Sequence, residues 1–197
     1  MFDMKLFAIL SMWFLYQARA FTPLSAAAAN GVCVYKIVNG NVYTGSVYVK
    51  NIDANYAQLT FATSAFGSAQ YRNFDLTSGT VGSGLGIDAK IEDVGGGWYR
   101  LSITALATAS VSTGALVVVI SPSASASRIQ AATTGQTLTA FGIQLEQGLV
   151  ATDYIETTTT TEQAGILEDM PRLDYSGGAS CPSLLLEPQR SNLCIQS

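Results

Sequence analysis

Apolar and polar residues alternate with a period of two along much of the chain. The runs that show this pattern are residues 31–38, 43–50, 57–61, 71–76, 87–92, 98–105 and 138–146, with Gly, Asn, Ser or Asp between them. Because successive side chains of a strand point to opposite faces, each run predicts a strand with one buried face. Residues 116–120 are continuously apolar, which predicts a strand buried on both sides or a packed core strand. No stretch shows the period of about 3.6 residues that marks an amphipathic helix.

Short strands at regular intervals predict an all-β protein, an antiparallel β-sandwich of the jelly-roll type over residues 21–156. Residues 77–86 hold four glycines and two serines and are expected to form a loop. In the last predicted strand, Phe141 is expected to point inward with Ile143 and Leu145. Beyond residue 156, five consecutive threonines predict a linker, and residues 162–197 are expected to be an irregular tail with at most a short strand at 184–186.

Four side chains on the predicted strands point away from the side that carries the aliphatic core. They are Tyr48, Tyr71, Trp98 and Arg100. If their strands are neighbours, these residues form an aromatic platform, on which a sugar ring stacks while polar groups bind its hydroxyls. The alternative is that the side chains serve packing, and Trp98 in particular then closes the edge of the sandwich.

Residues 1–20 have the pattern of a secretory signal peptide. Lys5 precedes an apolar run over residues 6–16, and Ala18-Arg19-Ala20 has the small residues of a cleavage site. The apolar run is too short to cross a bilayer as a helix, so no membrane span is expected. A misplaced start codon or a buried N-terminal strand is the alternative interpretation.

Composition argues against most catalytic and nucleic-acid-binding functions. The net charge is −4 and the ten Lys and Arg residues are scattered, whereas phosphate binding needs them clustered. The chain has no histidine, so a Ser–His triad is impossible, and it has neither a G-x-S-x-G elbow nor an E-x-D-x-x-E strand. We therefore expect no enzymatic activity.

No cofactor is expected, although the sequence leaves a structural calcium ion open. Four acidic residues lie in or beside predicted loops, namely Asp53, Asp88, Asp93 and Asp153. Their spacing matches no defined calcium loop, and a chance distribution of acidic residues in turns explains it equally well.

Several motifs are similar to those of sandwich domains in bacteriophage tail and head fibres. The matching segments are YTGSVYVK at 43–50, GWYR at 97–100, GIQLEQG at 142–148 with ATDYI at 151–155, and PRLDY at 171–175 with LLLEPQRSNL at 184–193. The resemblance covers roughly residues 31–193, and the last motif is quite specific. Such domains are in turn similar to jelly-roll carbohydrate-binding modules of the family 4/9 type.

The resemblance implies a non-catalytic part of a virion appendage, often trimeric, that binds host surface glycans or contacts other virion proteins. Residues 157–197 then correspond to a connector that leads toward a further module. Two alternatives stay open: a structural trimerising connector with no small ligand, and a secreted bacterial surface adhesin. The signal-like segment, which stands where the first strand of the fibre domains would begin, favours the adhesin if it is cleaved, because a phage structural protein needs no signal peptide. The expected location is accordingly the virion surface or the cell exterior.

Overall fold

The computed structural model describes residues 19–21, 31–67, 70–130, 132, 135–156, 162–164, 173–174, 183–184 and 190–192. Its main strands form two five-stranded antiparallel sheets. Sheet A contains, in spatial order, β1 (Arg19–Phe21), β10 (Leu138–Gln147), β3 (Val42–Asn51), β8 (Trp98–Leu106) and β7 (Asp88–Gly95). Sheet B contains β2 (Gly31–Ile37), β9 (Val111–Ile120), β4 (Tyr56–Phe61), β5 (Tyr71–Asp75) and β6 (Thr80–Leu85). A short helix, α1 (Thr63–Phe66), follows β4.

The two sheets enclose one hydrophobic core, which confirms the predicted all-β sandwich. The largest buried side chains include Tyr43, Leu101, Ile103 and Leu145 from sheet A, and Leu59, Phe61, Phe74, Leu116 and Ile120 from sheet B. Each contributes about 1.5–3 kcal/mol by leaving water, so this shared core is what holds the sheets together. The jelly-roll subtype stays a prediction.

Strand β6 lies where the glycine-rich sequence was expected to form a loop, so that prediction was wrong for Thr80–Leu85. A Cβ atom on Gly82 would lie 2.3 Å from the carbonyl oxygen of Ala124, and one on Gly84 would lie 2.2 Å from that of Tyr71. These glycines therefore permit close packing of the backbone at the edge of sheet B.

Strand β10 contains a bulge that reverses the expected orientation of Phe141. Its pairing with β3 shifts register between Phe141 and Gln144, where Gly142 has a φ of 59°. Leu138 and Leu145 face the core on either side of the bulge, but Phe141 lies opposite Tyr48 on the outer face. The prediction that Phe141 points inward was wrong, because the bulge interrupts the alternation of faces.

The C-terminal region contains more strand than expected. Two small antiparallel ladders are formed, one by β11 (Glu162–Ala164) with β14 (Arg190–Asn192), the other by β12 (Leu173–Asp174) with β13 (Ser183–Leu184). The strand expected at 184–186 is seen at its first residue, and residues 185–186 lie outside the described residues.

Most of the predicted signal peptide, residues 1–18, lies outside the described residues. The expected cleavage point after Ala20 falls within β1, which pairs with β10 at the edge of sheet A. None of the helices in the described ranges is long and apolar enough to cross a membrane.

Candidate functional site

The structure brings three of the four candidate binding residues together on the outer face of sheet A. In the β3–β8 ladder, Tyr48 lies opposite Arg100, and Lys50 lies opposite Trp98. These side chains face outward because their neighbours along both strands belong to the core. Tyr71 is placed elsewhere: it lies in β5 of sheet B, opposite Thr60, on the other side of the sandwich.

An aromatic patch occupies the middle of this outer face, and we define it as Tyr48, Trp98, Phe141 and Tyr154. The ring of Tyr48 lies 5.8 Å from that of Phe141 and 6.4 Å from that of Tyr154, and the last two rings are 5.0 Å apart. Trp98 is the diagonal neighbour of Tyr48 across the β3–β8 ladder. All four side chains are partly exposed. Sequence reasoning missed Phe141 as a site residue because the bulge was not recognised, although Gly142 was a signal for it.

Residues 148–155, which we call the strap, fold back over the outer face of sheet A. At its start, the Gly148 amide donates to the Val42 carbonyl at 2.9 Å, and the Gly148 carbonyl accepts from the Thr44 hydroxyl at 2.8 Å. At its end, the Ile155 amide donates to the side-chain oxygen of Gln144 at 2.9 Å. The strap is thus attached to β3 at its start and to β10 at its end.

Arg100 lies beneath the strap and is only 8% exposed. One guanidinium nitrogen, Nη2, donates to the Thr152 carbonyl and to the Ser46 hydroxyl, the latter at 3.3 Å. Its Cζ atom lies 5.2 Å from the centre of the Tyr48 ring, a cation–π arrangement. Its Nε atom is buried without a hydrogen-bond partner among the described residues. Arg100 therefore holds the strap and orders the Tyr48 ring.

Glu146 holds the same strap residue from the other side. Its carboxylate is 1% exposed and accepts hydrogen bonds from the Thr152 amide at 2.9 Å, the Thr152 hydroxyl and the Gln144 side-chain amide at 2.8 Å. Hydrogen bonds to an ionised carboxylate are among the stronger ones in proteins. Together, Glu146 and Arg100 bind every polar group of Thr152.

Burial raises the pKa of the Tyr48 phenol above its ordinary value, although the nearby Arg100 guanidinium acts in the opposite direction. The carboxylates of Asp153 and Glu92 add to the rise. The phenol is therefore neutral at physiological pH and can donate a hydrogen bond.

The outer face of sheet B is closed by residues 121–130. The Asn73 side chain donates to the Ala126 carbonyl at 2.7 Å, and the Gln58 side chain donates to the Ser127 carbonyl at 3.1 Å. Both side chains are fully buried by this loop. Tyr71 lies beside the covered region and is partly exposed, but none of the other three candidates lies near it.

The four aspartates considered for calcium do not meet in the structure. Asp53, Asp88 and Asp93 each accept a backbone hydrogen bond in a different loop or strand end. Among the described residues, no group of three or more acidic or cysteine side chains is placed to hold a metal ion.

Comparison with known proteins adds no relative. No protein-family model matches the chain, and no curated protein matches it. The resemblance to phage fibre domains stays a prediction from the sequence motifs.

Proposed function

We propose that this protein is a non-catalytic module of a phage virion appendage that binds host surface glycans through the aromatic patch. The observation that carries the proposal is the juxtaposition of Phe141, Tyr48 and Trp98 on three adjacent strands, β10, β3 and β8. Partly exposed aromatic rings on a sheet face suit the stacking of sugar C–H groups.

The surroundings of the patch support a preformed site. The strap fixes Tyr154 against Tyr48 and Phe141, and its own position is fixed by the buried groups of Arg100 and Glu146. A site whose side chains are already ordered loses little conformational entropy on binding.

Two carboxylates of this face, Glu146 and Glu92, support binding without catalysis. A glycosidase needs two carboxyl groups about 5–10 Å apart, both available to the scissile bond. Here Glu146 is buried and engaged by Thr152 and Gln144, and Glu92 forms an ion pair with Lys90.

A glycan array probed with the full-length protein tests the proposal. We expect Trp98→Ala and Tyr48→Ala each to reduce binding of any hit by about 2- to 10-fold, since a stacking contact is worth roughly 0.5–1.5 kcal/mol. Tyr71→Ala, on the opposite side of the sandwich, is the matched control and should bind as the unchanged protein does. A blank array, or equal losses in all three variants, would overturn the proposal.

A structural connector is the second candidate, and one surface feature favours it. Leu106, Leu149 and Val150 are 45%, 62% and 55% exposed at one end of the outer face of sheet A. Exposed apolar side chains grouped at one end of a sheet often mark a protein interface. Light scattering distinguishes the candidates: a stable trimer that is lost in Leu149→Asp, together with a blank glycan array, supports the connector.

A secreted adhesin would use the same patch at a different location. If N-terminal sequencing of the exported protein finds that it begins at Phe21, the adhesin is favoured over a virion component.

A further inference from the structure

One corner of the outer face of sheet A is formed by Lys50, Trp98 and the turn between β7 and β8. Lys50 and Trp98 are directly opposite each other in the ladder, so their Cβ atoms are about 5 Å apart. The turn contains Gly95, Gly96 and Gly97, with φ angles of 86°, 63° and 79°. Only glycine adopts such angles readily, so the turn has no side chains that would cover its neighbours.

The Lys50 side chain reaches this glycine turn at Gly97. A Cβ atom on Gly97 would be 3.6 Å from the Lys50 Cε atom, and one on Gly96 would be 3.9 Å from the Trp98 Cδ1 atom. The corner therefore has an aromatic wall, a cation at its rim and a floor of bare backbone, which a ligand can approach closely.

Most of the other charges of this face are engaged by described partners. Lys90 and Glu92 pair with each other, Arg100 donates to Thr152, and Glu146 accepts from Thr152 and Gln144. At the turn itself, the Asp93 carboxylate accepts the Gly95 amide at 2.8 Å. Asp153, exposed on the strap, is near enough to act on Tyr48. Lys50 is different, because no described residue forms a hydrogen bond or an ion pair with its ammonium group.

From this corner we infer that the glycan is acidic: a sugar carboxylate binds the Lys50 ammonium while the ring of the same sugar stacks on Trp98. The inference rests on the proposed glycan-binding function and names its ligand class. The carboxylate of an acidic pyranose projects from the edge of the sugar ring. One sugar residue can therefore stack its ring face on Trp98 and place its carboxylate against the adjacent Lys50. The glycine turn leaves room for the ring and offers backbone groups to its hydroxyls.

Isothermal titration calorimetry with two matched oligosaccharides tests the inference. One is built from glucuronic acid and the other from glucose, with the same linkage and length. We expect the full-length protein to prefer the acidic one, and Lys50→Gln to lose that preference by about 3- to 10-fold while keeping its affinity for the neutral one. Lys50→Arg should retain the preference. Lys90→Gln, a lysine on the same face that already has a partner, is the matched control and should also retain it.

The outcomes separate this inference from the proposed function. If the protein binds both sugars equally and Lys50→Gln changes neither affinity, the inference of an acidic ligand is overturned, whereas the proposed glycan binding stands. A preference for the acidic sugar that survives Lys50→Gln overturns the assignment of Lys50. Absence of binding to these two sugars and to every sugar of the array overturns both proposals. Thermal melting of each variant verifies that it is folded, which is expected because Lys50 lies on the outer face, outside the core.

Discussion

Replacing Glu146 by leucine tests whether this buried carboxylate holds the strap. Leucine fills a similar volume, so the change removes hydrogen bonds more than it removes packing. The carboxylate accepts from the Thr152 amide, the Thr152 hydroxyl and the Gln144 side chain. In the variant, the Thr152 amide has lost its acceptor, whereas the Gln144 side chain keeps longer contacts to the Thr152 hydroxyl at 3.4 Å and the Asp153 carbonyl at 3.3 Å.

The expected cost follows from these contacts. A buried donor left without an acceptor costs about 1–3 kcal/mol, and the weakened Gln144 contacts add roughly 1 kcal/mol. The total of about 2–4 kcal/mol corresponds to a decrease in Tm of roughly 5–15 °C for a chain of this size. The Tm of Glu146→Gln should lie between those of the unchanged protein and Glu146→Leu, because glutamine keeps one oxygen acceptor.

Thermal unfolding followed by circular dichroism measures the change, and limited proteolysis locates it. We expect cleavage within residues 148–155 to become faster in Glu146→Leu than in the unchanged protein. Glu92→Leu is the matched control: it removes an exposed carboxylate whose ion pair is worth about 0–1 kcal/mol. If Glu146→Leu melts within about 2 °C of Glu92→Leu and is cleaved no faster, the strap is not held by this carboxylate.

Three further predictions concern the packing of the sheets and the titration of Tyr48. Gly142→Ala should lower the free energy of unfolding by about 1–2 kcal/mol, because φ is 59° there and the new Cβ would lie 3.0 Å from the Tyr154 ring; an unchanged midpoint in urea unfolding would contradict this. Gly45→Ala places a Cβ 2.6 Å from Leu116 and should cost about 1–3 kcal/mol in urea unfolding. Leu116→Val in the same chain should recover part of that loss, and strictly additive costs would refute direct contact. Because the pKa of Tyr48 is raised by folding, its protonated form contributes stability at neutral pH that is lost as the pH rises above about 10. Tyr48→Phe should flatten that alkaline loss in urea unfolding measured between about pH 8 and 11, and an unchanged slope would argue against it.

Alternation of apolar and polar residues was enough to predict most strands and the faces of their side chains. Residues 43–50 and 98–105 lie in β3 and β8 with the predicted sides buried. The reason is local: a strand places alternate residues on opposite faces, so burial of one face imposes a period of two on the sequence. For the same reason, Tyr48, Trp98 and Arg100 could be assigned to an outer face.

Local pattern does not specify which strands become neighbours, and the tertiary structure decided that. Tyr71 had the same outward pattern as Tyr48, but pairing placed it in sheet B. A bulge at Gly142 moved Phe141 onto the outer face, and the strap covered Arg100. Each of these outcomes depends on contacts between residues far apart in the chain, such as Arg100 with Thr152. The sequence by itself therefore determined the strands and the faces of their side chains, whereas long-range pairing decided which side chains meet, because that energy comes from residues that no local window contains.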